Sequence, residues 1–317
     1  MRQDLVRTEG LSGQFALLSP GNQSLPVTPE TWPDRSFAAR TYGRIGNLEV
    51  RLAQSRDEVR LAQRLRYEVF FEELHAKAST LARFRRLDQD AFDPLCDHLL
   101  VVDLEKTKPQ RLGQAAPLPH VVGTYRILRQ EVAARNDGFY TAREFDVDGL
   151  IASKSSRYSF MEVGRSCVLA AYRNKRSVEL LWHGLWTYVR EHRIDVMIGC
   201  ASFEGTDPHK HAAALSLLHH NYLAPPEWRC RALPGQFQPM DLLPKDAIDP
   251  KAALRGIPPL IKGYMRLGAY VGEGAVIDHA FGTTDVLIIL RSEKIDPRYF
   301  EHYGAPGETR SRVAEGA

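Results

Sequence analysis

The stretch from Phe160 to Ala201 narrows the fold more than any other part of the chain. Val178, Leu181, Trp182, Leu185, Trp186 and Val189 fall at i, i+3, i+4, i+7, i+8 and i+11, which is an apolar stripe along one face of a helix. Phe160–Leu169 before it reads as a strand, and Asp195–Ala201 after it as another. The turn from Tyr172 to Ser177 is basic. A strand that feeds a helix through such a turn makes an anion site, because the first helical amides lack intrahelical acceptors and carry about half a positive charge. Residues 164–193 hold Arg165, Arg173, Lys175, Arg176, Arg190 and Arg193 against Glu179 and Glu191, a local +4. A solvated basic surface around a core helix is the plainer alternative. Over all 317 residues, Lys+Arg 42 against Asp+Glu 39 leaves only +3, so no nucleic-acid partner is expected from charge.

The rest of the chain alternates strands and helices, with the early strands hairpin-like. Leu48–Leu52 alternates apolar and polar residues, and Ser55 with Glu58 reads as a capping box. Val59, Ala62, Leu65 and Val69 form a helical stripe that continues into Phe70 and Phe71; Arg83, Arg85 and Arg86 lie in the loop beyond. Leu99–Asp103 and Val121–Leu128 suggest neighbouring antiparallel strands. A helix is expected over Pro208–His220 and a last strand over Thr284–Leu290. This pattern predicts a mixed α/β sheet flanked by helices. The expected organisation is a flexible N-terminal arm over 1–45, a core over 46–225, a loop-rich extension over 226–300 that completes the sheet and shapes a pocket, and a frayed tail over 301–317. The four cysteines form no CxxC pair, which points to free thiols in a reducing compartment. Neither a secretory signal nor an apolar run of spanning length is visible. A cytoplasmic protein is expected, with peripheral contact to the inner membrane surface left open.

The strand–turn–helix resembles that of the GNAT superfamily of N-acyltransferases, in which it holds the pantetheine arm and phosphate of an acyl donor. The superfamily's usual turn is Gln/Arg-x-x-Gly-x-Gly/Ala, whereas this chain has Arg173-Asn-Lys-Arg-Ser-Val178. Glycine there lets the backbone wrap a pyrophosphate. Its absence favours a donor with one phosphate, presented on an acidic acyl carrier protein. Donor contacts are carried over to Val168, Leu169 and Ala170 through the main chain, and to Arg173, Lys175 and Arg176. Arg66-Tyr-Glu-Val-Phe70, Asp88-Gln-Asp-Ala-Phe-Asp93, Gly123-Thr-Tyr-Arg126 and Glu162-Val-Gly-Arg165 are similar to motifs of the acyl-homoserine-lactone synthases. The tryptophan those enzymes carry after the Phe has no counterpart here, which argues against a lactone product. With Leu180-Leu-Trp-His-Gly184, Ile261–Gly268 and Phe281–Asp285, these motifs in this order resemble the ornithine-acyl carrier protein N-acyltransferase family over residues 48–300. That resemblance implies a GNAT-type fold and a 3-hydroxyacyl thioester on acyl carrier protein as donor. It also implies the α-amine of L-ornithine as acceptor, a lyso-ornithine lipid as product, and no cofactor. The competing readings are an acyl-homoserine-lactone-synthase-like enzyme and a non-catalytic, haemolysin-like peripheral membrane protein.

Amide formation from a thioester requires a deprotonated amine and donors for the oxyanion. Glu162 is the candidate base. The alternative is a surface partner of Arg165, although residues three apart on a regular strand point to opposite faces. Arg66 or Arg126 is a candidate for the acceptor carboxylate, and Arg165 for either that carboxylate or the acidic cluster 88–93. Asp88, Asp90 and Asp93 are candidates for the acceptor's amine end; ordinary ion pairing is the alternative for each. No metal site is expected. The three aspartates lack the glycine turn and closing glutamate of a calcium loop, and His209 and His211 face apart on a helix. Cys167 reads as a small buried residue, not a nucleophile.

Overall fold

The computed structural model describes residues 41–108 and 118–295. The expected tail over 301–317 and residues 1–40 of the expected arm lie outside that range. Eight strands form one sheet: β1 Thr41–Ile45, β2 Leu48–Leu52, β3 Asp97–Lys108, β4 Leu118–Arg129, β5 Phe160–Val168, β6 Val196–Glu204, β7 Tyr270–Asp278 and β8 Thr283–Arg291. Their spatial order is β1-β2-β3-β4-β5-β6-β8-β7. Every neighbouring pair is antiparallel except β5 and β6, which run parallel. The mixed sheet expected from the sequence is therefore present. Its first strand corrects the arm boundary, since Thr41–Ile45 pairs with β2.

The helices are α1 Arg56–Tyr67, α2 Thr80–Arg85, α3 Gln130–Ala133, α4 Val147–Lys154, α5 Lys175–Glu191, α6 Ala212–Tyr222, α7 Pro250–Gly256 and α8 Pro259–Arg266. α5 carries the stripe read from the sequence. Leu181, Leu185, Trp186 and Val189 are buried in one cluster with Val50, Leu99, Val101 and Met161 of the sheet, while Val178 at the stripe's start is 45% exposed. Gly184 sets how closely the helix approaches. A Cβ there would lie 2.5 Å from Val50 Cγ2. α6 and α8 cover the same face through Leu215, Leu218, Ile261 and Tyr264. On the opposite face, Val59, Ala62 and Leu65 of α1 pack on Leu100, Val102 and Val121. Beside them Phe145, Phe160, Ile198, Leu287 and Ile289 form a further cluster.

Two local expectations are corrected. Ser55 caps α1 by accepting from the Glu58 N–H at 3.2 Å, but Glu58 does not reach back to close the box. Its carboxylate binds Arg51 at 2.6 and 2.7 Å and accepts the Gln54 N–H. The extension past residue 225, read as loops, holds α7, α8 and β7. Pro250 and Pro259 sit in the first turns of α7 and α8, where a missing N–H costs nothing.

Candidate active site

β5 pairs with β6 only through Phe160, Met161 and Glu162, opposite Val196, Met197 and Ile198, yet both strands continue for several residues beyond. The two strands therefore part, leaving main-chain groups of β5 from Val163 onward without a strand partner on that side. Gly199 stands where they divide; a Cβ on it would lie 2.2 Å from the Val163 carbonyl oxygen. On its other edge β5 carries one extra residue against β4, with Thr124 opposite Cys167 but Arg126 opposite Gly164. Arg165, within this bulge, has φ +52°, a left-handed conformation uncommon for a non-glycine residue and found where structure is held for function. The bulge changes the alternation. Glu162 and Arg165 share one side of the sheet, where both meet the turn at Tyr140 and Thr141. This corrects the opposite-face expectation.

A cavity of about 300 Å³ occupies the gap. Glu162–Ser166 of β5 and Met197–Ser202 of β6 form its walls; Tyr125, Leu260, Tyr264 and Ile288 line it from the α8 side. Phe70, Leu74, Ala76 and Phe281 also line it, and since Leu74 is 48% exposed this end opens to solvent.

The candidate residues divide between this cavity and a closed network beside it. Arg66, fully buried on α1, binds Asp88 Oδ2 at 2.8 Å and Asp93 at 2.9 and 3.0 Å. Arg126 binds Asp90 at 2.7 Å and Asp93 at 3.3 Å. Arg165 completes the set with Asp88 at 3.3 Å and Asp90 at 3.4 Å. Burial by itself would raise Asp93, but Arg66 and Arg126 hold its carboxyl well below the usual range. Three arginines thus neutralise three aspartates. Arg126 and Arg165 line the cavity, whereas Arg66 and the three aspartates do not. The network gives those four residues the work of bracing the two arginines that do.

Glu162 lines the cavity with only 6% exposure. Oε2 accepts the Tyr140 N–H at 3.0 Å, and Oε1 accepts the Thr141 N–H at 2.6 Å and the Thr141 hydroxyl. Burial raises its carboxyl above the ordinary value against the pull of these donors. Of the donor-side candidates, the Leu169 N–H is already given to Val122 O at 2.9 Å, so it is not an oxyanion donor. Val168 packs partly buried on the core and Ala170 is exposed. Arg173 is tied down, donating to Glu73 and, from Nε, to Val168 O at 2.9 Å. Lys175, near Glu179 at 3.4 Å, and Arg176 are exposed at the start of α5, where Asn174 caps the Ser177 N–H. Burial pushes the Cys167 thiol up, which disfavours a nucleophilic thiolate.

Three acids that line the cavity are not among the sequence candidates. Glu144 follows the short 3-10 turn Tyr140–Arg143, Asp278 ends β7 and Asp285 lies in β8. Each places a carboxylate oxygen within 4.8 Å of the other two. Asp285 alone left a trace in the sequence, as a lone acid at the head of the apolar run Val286–Leu290. Burial, then Asp285, push Glu144 up to about 8; burial first pushes Asp285 up to about 6, with Asp278 adding to it. The folded protein therefore keeps protons that the unfolded chain releases near pH 4, and this contribution to stability is lost as pH rises through about 6 and then about 8. With no substrate bound, the melting temperature should fall from pH 5 to pH 8.5, and less steeply in Glu144→Gln. Equal slopes would show that the acids do not titrate in this way. The Asp93 pairing acts in the opposite sense only below about pH 4.

The sheet, the parting strands and the cavity between them define an N-acyltransferase of the GNAT class, and the acetyltransferase (GNAT) domain profile matches residues 65–183. The chain is 53% identical over 267 residues to the L-ornithine N(alpha)-acyltransferase of Agrobacterium fabrum, covering 84% of this chain and 88% of that protein. The protein of that name from Brucella abortus is 54% identical, with coverage of 83% and 91%. That from Rhodobacter capsulatus is 43% identical, with coverage of 80% and 94%. The chain belongs to the L-ornithine N(alpha)-acyltransferase family. Among solved structures, an N-acyl amino acid synthase from uncultured soil microbes aligns at a TM-score of 0.42 and 13% identity, over 83% of this chain and 95% of that one. No helix among the described residues is long and apolar enough to cross a membrane.

Proposed function

We propose that the enzyme transfers a 3-hydroxyacyl group from acyl carrier protein to the α-amine of L-ornithine, forming lyso-ornithine lipid. The observation that carries this reading is the cavity through the parting of β5 and β6, with Glu162 and Arg165 on one side of it. A thioester arm laid along the free edge of β5 meets unpaired main-chain groups in place of the missing strand. The ornithine α-ammonium gives a proton to Glu162 through Oε2, which accepts one other hydrogen bond, or through an intervening water. The neutral nitrogen attacks the thioester carbonyl, the C–S bond breaks, and the thiolate leaves with a proton from the nitrogen. Arg165 holds the acceptor carboxylate. It is set for this by the Tyr140 and Phe281 rings, 4.9 and 4.6 Å from its guanidinium carbon. No cofactor enters the scheme, because the acyl-phosphopantetheine is a substrate.

The direct test mixes the pure protein with 3-hydroxyacyl-loaded carrier protein and a panel of amino acids and weighs the products by mass spectrometry. Acyl-ornithine and free carrier thiol are expected; absence of any acyl-amino acid would overturn the reading. The exposed cations at the start of α5 suit an acidic carrier, and such contacts govern encounter more than affinity. The Lys175→Ala/Arg176→Ala double variant should raise KM for the carrier roughly three- to tenfold at low salt, with KM for ornithine unchanged. Arg173 is left in place because it braces Glu73 and Val168. Equal shifts in both KM values would remove the turn from carrier binding.

A further inference from the structure

We propose that Glu144, Asp278 and Asp285 form the subsite for the side-chain ammonium of the acceptor, and so select a diamino acid. This rests on the acyl-transfer reading above and says which part of the acceptor lies where. The three carboxylates come from separate elements and converge on one corner of the cavity. Their hydrogen bonds leave acceptor capacity over. Asp278 uses Oδ1 to accept the Ala280 and Phe281 N–H groups at 2.7 and 2.9 Å. Glu144 accepts from the Cys200 thiol at 3.1 Å. Asp285 is only 6% exposed; the Ser202 and Thr283 hydroxyls act on its carboxyl, yet its Oδ1 has no partner within hydrogen-bond geometry.

A buried carboxylate oxygen without a donor is costly, and three acids together multiply the cost unless they keep protons, as Glu144 and Asp285 do when nothing is bound, or a cation joins them. The nearby cation, Arg165, is shared with Asp88 and Asp90. An ammonium has three N–H donors available beyond its carbon and no acceptor. Three oxygens at about 2.8 Å from one nitrogen, arranged tetrahedrally, lie about 4.6 Å apart, which falls within the observed 4.8 Å. With Arg165 as the cationic end of the cavity and this trio as the anionic end, the site is complementary to a carboxylate and an ammonium on one molecule. The trio also decides which amine reacts. An ammonium held by three carboxylates is stabilised in its charged form, so it has no lone pair for attack. The α-nitrogen, held away from the trio, is free to lose its proton.

The test compares ornithine with norvaline, the same chain lacking the side-chain amine, and with lysine, one methylene longer, as acceptors for the wild-type enzyme. A site built to hydrogen-bond a group rejects the analogue without it by about 10⁴-fold; at least about 10³ in kcat/KM is expected for norvaline, with lysine between. Asp285→Asn and Glu144→Gln should each lower kcat/KM for ornithine by about 50-fold or more and shrink the ornithine-to-norvaline ratio to below about ten. A merely structural role would depress both acceptors alike and leave the ratio unchanged. Norvaline turned over as well as ornithine, or an unchanged ratio in both variants, would overturn the assignment while leaving acyl transfer intact. The wild-type comparison needs no variant to fold. Loss of activity in EDTA with recovery on Mg²⁺ or Mn²⁺ would also overturn it, giving the trio to a metal. Failure to acylate any amino acid would instead sink the acyl-transfer reading.

Discussion

Arg66→Met is expected to cost about 3–5 kcal/mol, the penalty for leaving one side of a buried ion pair uncompensated. Arg66 is wholly buried, as is Asp93, and the two are joined at 2.9 and 3.0 Å. Methionine matches the length of the stem but donates nothing. Asp93 would keep one close cation, Arg126 at 3.3 Å, along with Gln63 Nε2 at 3.0 Å, and Asp88 would keep Arg165 at 3.3 Å. Asp93 is fully buried and Asp88 only 6% exposed, so water offers the orphaned charges little relief. Against a total stability of about 5–15 kcal/mol, such a loss would bring much of the population near unfolding, with a melting temperature lower by roughly 10 °C or more. Arg66→Lys should recover only part of this, because an ammonium cannot span Asp88 and Asp93 as a planar fork does. Arg66→Met/Asp93→Asn should be less destabilised than the sum of its single changes, since each removes the other's orphaned charge. Denaturant melts of the four proteins would measure this coupling. A loss below about 1 kcal/mol for Arg66→Met would place the network among hydrated surface pairs.

Helix α5 was legible in the sequence because its period repeats over many residues, and the strands around it because their apolar runs are long. β7 was not, since Gly272 and Gly274 interrupt its run and glycine in a strand reads as a break. Both serve close approach: a Cβ on Gly272 would lie 2.9 Å from Cys230 O, and Gly274 has φ +86°. α8 was hidden by Pro258 and Pro259, which mark helix starts as readily as loops. Within the site, the spacing of Asp88, Asp90 and Asp93 drew notice, but nothing local shows that α1, β4 and β5 each supply an arginine to close them off. The parity rule separated Glu162 from Arg165, and one extra residue in β5 brought them together. The acid trio comes from three distant segments with no shared motif. Such convergence is a property of the topology, and only the folded chain displays it.

Gly199→Val should lower kcat/KM by at least about 10²-fold while leaving most of the fold in place. The sequence carried a hint of this, because a lone glycine in an otherwise apolar strand marks a close backbone approach. The nearest atom to a Cβ at 199 is the Val163 carbonyl oxygen, at 2.2 Å, followed by the Val163 carbonyl carbon at 3.3 Å. These are backbone atoms, so no rotamer change relieves the contact. β5 must move away from β6, or β6 must twist. Val163 is the first residue past the parallel pairing, and Glu162, Gly164 and Arg165 lie on either side of it. A displacement of about 1 Å there carries the proposed base, the free β5 edge and the carboxylate-binding arginine out of register together, and misplacement of that size costs about 10²-fold in rate. The expected stability cost is that of overpacking, about 1–3 kcal/mol, too little to unfold a protein of ordinary stability. Gly235→Ala is the control, because nothing lies within 4 Å of a Cβ at that position; it should change neither rate nor melting temperature appreciably. A Gly199→Val enzyme with near-normal kcat/KM would mean that the gap between the strands tolerates rearrangement, and that the thioester is not held along the β5 edge.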